Sequence, residues 1–455
     1  MGALLIAPAG ALAHGLVGKT DLPIPRWLFA WAAAVVLVVS FVALATLWPK
    51  PRLAQIRERG LTRVPRLLEP LCGLIGIGLF CVVVYAGFAG KQEATANLAP
   101  TWIYVIFWVG LAFASFLFGD VFRAFNPWRA LARAVASVLP VKSEAMVYPV
   151  WLGRWPAALG IFGFAWLELV YTNKDAPETL AVLALAYAAV QLVGMVIYGI
   201  EVWSDRADAF SVYFGLLARL SPLRWSGGEL SLRPPFVGIA DLEILPGTVA
   251  LLAVMIGSTS FDGFSVGSVW VGSGQLFSDL QGVFTGAGVS IQTADEIAST
   301  VGLLAMIGVV AGLYRLGIAG MHSIRGAHTT QELAGRFAHS LVPIAAAYVA
   351  AHYFSLLAYQ GQALGYLASD PLGTGSDLFG TASSSIDYNL VASNVIWYVQ
   401  VAALVIGHAA GLTLAHERAL LTYTRASEAT RSQYWMLAVM VAFTSLGLWI
   451  LSSTQ

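Results

Sequence analysis

Long apolar runs alternate along the chain with short polar connections. Runs near the ~20 residues needed to cross the hydrocarbon core of a bilayer recur ten times. They lie near 27–48, 69–89, 101–120, 155–172, 178–200, 245–261, 299–318, 337–358, 394–415 and 434–452. The pattern predicts an all-α fold, a polytopic helical membrane protein of about ten spans, with 1–455 forming a single integral membrane domain. The sixth run opens at Leu245-Pro246, and proline suits the first turn of a helix. Between spans, 121–140 and 203–225 mix aromatic with charged residues and read as interfacial arms. The segments 262–298 and 359–393 are rich in Gly, Ser, Asp and aromatics and read as long outer loops over a cavity. Each arm precedes a span that opens near Pro156 or Pro246 and closes near an acid, Glu168 or Asp262. That order suggests a degenerate parallel repeat, spans three and four against five and six.

Charge gives the pattern an orientation. With the N-terminus outside, the inner connections hold 21 of the 25 Lys and Arg, and the outer segments only Lys19, Arg26, Lys91 and Lys174. Basic residues collect on the cytoplasmic side, so both termini are expected outside and the inner arms are cytoplasmic. Composition agrees with a membrane setting, 58% hydrophobic and 11% charged. The 25 acids balance the 25 bases, which argues against a nucleic-acid partner. The expected surroundings are the lipid bilayer of a bacterial plasma membrane, crossed many times.

Polar residues inside an apolar slab are costly and mark candidate function. In span five Tyr187, Gln191, Gly194, Tyr198 and Glu201 share one helical face. Tyr348, His352, Ser355 and Tyr359 do so in span eight, and Gln400 and His408 lie on one side of span nine. The residues Tyr187, Gln191, Tyr198, Glu201, Tyr348, Tyr359 and Gln400 form a candidate path for a solute or proton. At ~1.5 Å per residue, Glu168, Asp262 and His352 fall at one level in the outer half, with His408 nearer the middle. Carboxylates and imidazoles at similar depth suit a transition metal, copper or zinc, a proton relay or a polar substrate. The same polar stripes equally serve as hydrogen bonds between helices. His339 and His416 lie close to arginines and read as interfacial; His322 and His328 read as solvated.

Other signals are thinner. Ala11-Leu12-Ala13 resembles a signal-peptidase site before His14, although the segment lacks a basic start; an apolar outer arm is the other reading. Cleavage there would expose an amine and imidazole at His14, a copper chelate. Cys72 and Cys81 fall on opposite faces of a helix roughly 13 Å apart, too far for a disulfide. Gly263-Phe264-Ser265-Val266-Gly267 matches G-x-S-x-G in letters but follows a membrane span instead of a strand. One haem between His352 and His408 is conceivable on residue type alone.

Several segments carry a resemblance to a known family. They are Ala13-His14-Gly15 with Leu22-Pro23-Ile24-Pro25, Asn126-Pro127-Trp128, Phe261-Asp262-Gly263, and the runs 351–357, 370–381 and 407–420. Together they resemble the fenitrothion hydrolase-like membrane proteins of bacteria, often actinobacteria. The resemblance implies hydrolysis of an organophosphorus ester, with a bound metal supplying hydroxide and polarising the phosphoryl oxygen. Glu168, Asp262, His352 and His408 would then be the metal ligands. Read from the residues, the leading expectation is a transporter or permease for a small polar solute or metal ion, with proton coupling as one form of it. A membrane-embedded metal-dependent hydrolase is the alternative, and an assembly or scaffold factor for a respiratory or copper-containing complex is a third.

Overall fold

A computed structural model describes residues 26–53, 56, 58–138, 146–323 and 328–453. His14 and the segment before it therefore lie outside the described residues. A helix stands at each of the ten expected positions. They are α1 (Arg26–Leu47), α2 (Leu68–Ala89), α3 (Leu98–Phe118), then α4 (Val121–Phe125) and α5 (Pro127–Val138), α6 (Trp155–Leu169) and α7 (Pro177–Tyr198). The chain continues through α8 (Ile200–Arg206), α9 (Ala209–Ala218), α10 (Thr248–Ser265), α11 (Leu276–Gly286) and α12 (Ile291–His322). It ends with α13 (Thr330–Phe337), α14 (Leu341–Gln360), α15 (Ser393–Thr422) and α16 (Ala426–Ser453). Among the described residues seven helices are long and apolar enough to cross a membrane: α2, α3, α7, α10, α12, the run Thr330–Ser369 that holds α14, and α15.

Burial ranks these helices. In α10 and in Thr330–Ser369, 78% of the apolar stretch is buried, against 28–50% in the other five. An apolar helix enclosed on all sides is a core helix, whereas one exposing Val, Leu and Ile suits lipid. The bundle is therefore built around α10 and α14, which pack on each other.

The small sheet was not legible in the apolar pattern. Strands β1 (Arg59–Arg63), β2 (Leu223–Ser226) and β3 (Glu229–Leu232) pair antiparallel in the order β1-β3-β2, with a bulge at Leu61. β2 and β3 are joined through Gly227 and Gly228, both at positive φ (61° and 76°), as a tight hairpin requires. The sheet closes one end of the bundle, where Trp225 donates to the Phe118 carbonyl at the end of α3 (2.8 Å). Irregular chain and α11 lie at the opposite, loop end.

The two arms differ: Pro127–Val138 of the first buries only Trp128 and Arg129, as an interfacial helix does, whereas the second is enclosed. α3 and α7 each stop at a glycine of positive φ, Gly119 (93°) and Gly199 (89°), a backbone turn that β-carbon sterics disfavour elsewhere. A short helix follows in each case, then a buried polar residue, Asn126 or Asp208, then a second helix. The second arm is corrected most: eight residues of α9 are buried, including Phe210, Tyr213, Phe214 and Leu217, so it is an internal helix and not an interfacial one. The span-five stripe is interrupted for the same reason, because Gly199 ends α7 and puts Glu201 on α8. The expected loop 262–298 also begins inside α10 and contains α11, since the apolar tract runs on through Phe261 and Phe264.

The suggested repeat becomes clearer. Gly153 (φ 45°) precedes α6 and Gly247 (φ 84°) precedes α10. Each glycine packs on the backbone beside the other, Gly153 on Pro246 and Gly247 on Arg154 and Trp155, and Arg154 N–H donates to the Pro246 carbonyl (2.6 Å). α6 and α10 therefore start together, run side by side and end at Glu168 and Asp262.

Candidate functional site

Asp262 sits in the last turn-and-a-half of α10, and His352 in the middle of α14. Their side chains meet, with His352 Nε2 2.8 Å from Asp262 Oδ2. Both are buried, Asp262 to 2% and His352 to 7% relative exposure. The neighbouring Tyr353 hydroxyl lies within interaction range of the Asp262 carboxylate. Glu168 at the end of α6 lies in electrostatic range of Asp262, Tyr353 and Tyr213. Tyr213 belongs to α9 and stacks on Trp108 of α3 with ring centroids 4.5 Å apart. Trp108 lies in a stretch of α3, Trp102–Gly110, wound as a π-helix, an irregularity that re-aims side chains and recurs at functional sites. Asp262 and His352 thus form an enclosed polar pair between α10 and α14, with Glu168 of α6 in electrostatic range of Asp262.

A carboxylate held against an imidazole can pass a proton between them and stabilise positive charge on the ring. Ser355, one turn along α14, is fully buried and its Oγ has no hydrogen-bond partner among the described residues. It extends the polar face of α14 beyond the pair.

The other expected residues divide into those in this centre and those elsewhere. Of the three residues expected at one level, Asp262 and His352 are in contact, and Glu168 lies in electrostatic range of Asp262. His408 stands apart, with its ring beside Tyr348 and Phe443 (centroids 6.1 Å from each). Its Nδ1 lies 2.8 Å from the Leu404 carbonyl, to which only a protonated Nδ1 can donate, and Nε2 is left buried without a partner. The four-residue metal set is therefore not assembled around one point. Among the described residues no group of three or more His, Cys, Asp or Glu is placed to hold a metal ion.

Span five serves a different cluster. Trp203 of α8 lies over Gly194, donates to Gln191 (2.8 Å) and stacks on Tyr198 (5.7 Å). Tyr187 donates to Asp208 (2.7 Å). Glu201 joins an ionic network in which Arg123, Arg129 and Arg133 bind Glu201, Glu69 and Asp205. Burial works to raise the Glu201 pKa, but Arg129, Arg133 and Arg123 outweigh it and hold the carboxyl below its ordinary 4.5. These residues bind arm to span instead of lining a path to Asp262. Tyr348 and Tyr359 donate to the carbonyls of Phe443 (3.3 Å) and Val391 (2.8 Å), and Gln400 is buried.

Two histidines read as interfacial are enclosed. His339 is 2% exposed, and His416 is held by the Trp48 carbonyl (2.9 Å) and Gln433 (3.1 Å). Next to it Glu417 accepts from Trp48 Nε1 and from the backbone N–H groups of Arg52 and Leu53 (2.7–2.9 Å). The sequence hides this latch, since Glu417 stands beside Arg418 at a helix end and looks solvated. His322 does meet the connection, with Nδ1 3.0 Å from the His328 carbonyl. Ser265 of the G-x-S-x-G string donates to the Asp262 carbonyl within its own helix (2.8 Å), so it is a helix-end serine. Comparison of the chain with protein-family models, with curated proteins and with solved structures finds no match.

Proposed function

We propose that the protein is a multi-pass transporter of a bacterial plasma membrane that moves a small polar solute or ion, with protons exchanged at Asp262 and His352. One observation carries the reading: the 2.8 Å Asp262–His352 contact, enclosed between the two most buried helices, with a second carboxylate, Glu168, in electrostatic range of Asp262. Ionisable groups at such a place are expensive and persist where ions or protons use them. Carboxylate–histidine chains are a common vehicle for proton movement in pumps and transporters. In this reading the chain crosses the membrane about ten times, the sheet end faces the cytoplasm and both termini lie outside, as the basic residues require.

Reconstitution tests it. Proteoliposomes enclosing a pH-sensitive dye are given amino acids, organic acids, sugars and metal cations in turn. Wild-type protein is expected to move protons with one cargo class, and Asp262→Asn and His352→Ala to slow that movement by at least about tenfold, as for loss of a proton-transfer group. Proton-coupled uptake that survives both substitutions in folded protein would remove the site from the mechanism. Nitrophenol release from a nitrophenyl organophosphorus ester, without cargo movement, would instead favour the hydrolase that the resemblance implies.

A further inference from the structure

α1 and α2 are consecutive but pack on different partners, α1 on α15 and α16, α2 on α5 and α7. The connection between them crosses the sheet end of the bundle and carries β1, an edge strand. Register sets Arg59 beside Leu232 and Leu232 beside Leu223. Trp225, two residues along β2, shares that face, because strand side chains alternate with period two. The bond from Trp225 to the Phe118 carbonyl turns this face toward the bundle. Around it Leu61, Trp225, Leu232, Leu117 and Phe118 are all exposed, an aromatic and apolar rim at the end of a lipid-suited wall.

The charges near this rim are unevenly matched. Glu58 is engaged by Arg224, and Glu69 by Arg129 and Arg133. Arg63 stands opposite Glu229 in the strand register. Arg59 and Arg66 are exposed, and neither enters an ion pair among the described residues. Arg59, on the face it shares with exposed Leu232 and Trp225, and Arg66, just beyond β1, have no counter-ion among the described residues, and together with the apolar rim they call for a ligand with an anionic head and an apolar tail.

We propose that the β1 edge binds the headgroups of anionic phospholipids, with Arg59 and Arg66 meeting the phosphates and Trp225, Leu117 and Phe118 meeting the upper acyl chains. Guanidinium groups pair with phosphate oxygens in two-pronged fashion, and tryptophan favours the headgroup level. The inference is independent of any transported cargo.

Native mass spectrometry of the full chain in a neutral detergent tests it, with phosphatidylglycerol and phosphatidylcholine added at equal concentration. Each basic side chain at an anionic surface is worth about fivefold in binding, so wild-type protein is expected to retain phosphatidylglycerol by at least about that factor. Arg59→Gln with Arg66→Gln should bring the two lipids level, while Arg59→Lys with Arg66→Lys keeps most of the preference. Equal retention of both lipids by wild-type protein would overturn the proposal, as would an undiminished preference in the glutamine variant. Displacement of phosphatidylglycerol by millimolar inorganic phosphate would also overturn it, by marking a site for free anions instead of lipid.

Discussion

Donors from Asn126, Trp128, Tyr187 and Ser211 converge on the Asp208 carboxylate at 2.6–3.3 Å, in a place with no exposure at all. The residue caps α9 and at the same time joins both arms to α7. Removing a buried acceptor leaves every one of its donors desolvated and unpaired. Asp208→Ala is expected to cost on the order of 3 kcal/mol, read as a lower unfolding temperature in detergent; Asp208→Asn should retain part of that stability. Little of this was legible in the sequence. Tyr187 was found because it recurs at helical spacing, but Asp208 lies between two short helices and has no period to betray it. A faint signal does exist: Arg206-Ala207 stands directly before Asp208, and Arg123-Ala124 stands one residue, Phe125, short of Asn126. Asp262 and His352 were easier, since an acid and an imidazole inside apolar runs stand out whatever they touch.

At the level of elements, the ionic network around Glu201 ties α2, the first arm and α8 together. Glu201 receives three arginines and Glu69 two, which is more than a lone exposed pair provides. Because the folded state holds the Glu201 pKa below its ordinary 4.5, this contribution is full above pH 4.5 and is lost as pH falls through the lowered value. Thermal unfolding of wild-type protein and of Glu201→Gln should differ by a constant amount above that pH, and the gap should close as the solution is acidified further. Helix positions followed well from apolar run length, because a span must be long and unbroken. Helix breaks did not, because glycine is common in membrane helices and only the fold shows which of them adopts positive φ. The sheet was equally hidden: β1 has all five residues exposed and so lacks the alternation that announces a strand.

For the whole molecule, sidedness is the property most directly open to experiment. The hairpin turn at Gly227 and the loop at Gly375 lie at opposite ends of the bundle. Single cysteines placed there, in a chain with Cys72 and Cys81 replaced by serine, should report different sides. A membrane-impermeant maleimide is expected to label position 375 in intact cells and position 227 only after permeabilisation, in keeping with 21 basic residues on the inner connections. The reverse result would invert the orientation. Charge segregation was readable because it depends on counting along the chain, whereas the centre at Asp262 depends on which helices pack, and packing leaves no local trace.

The paired glycines before α6 and α10 carry a consequence of their own. Mutual contact, each element resting on the other at the matching point, is the signature of a two-fold interface. At Gly153 and Gly247 the chain meets itself as two subunits of a dimer would, but within one continuous polymer. In a true dimer the acids nearest the axis would be copies of one residue and would answer to any ligand alike. Within a single chain that identity is not required. One position is glutamate and the other aspartate, and the aspartate is engaged by a histidine from α14, outside both halves. An axis that would enforce equivalence has been turned into a place where two acids are free to divide their labour.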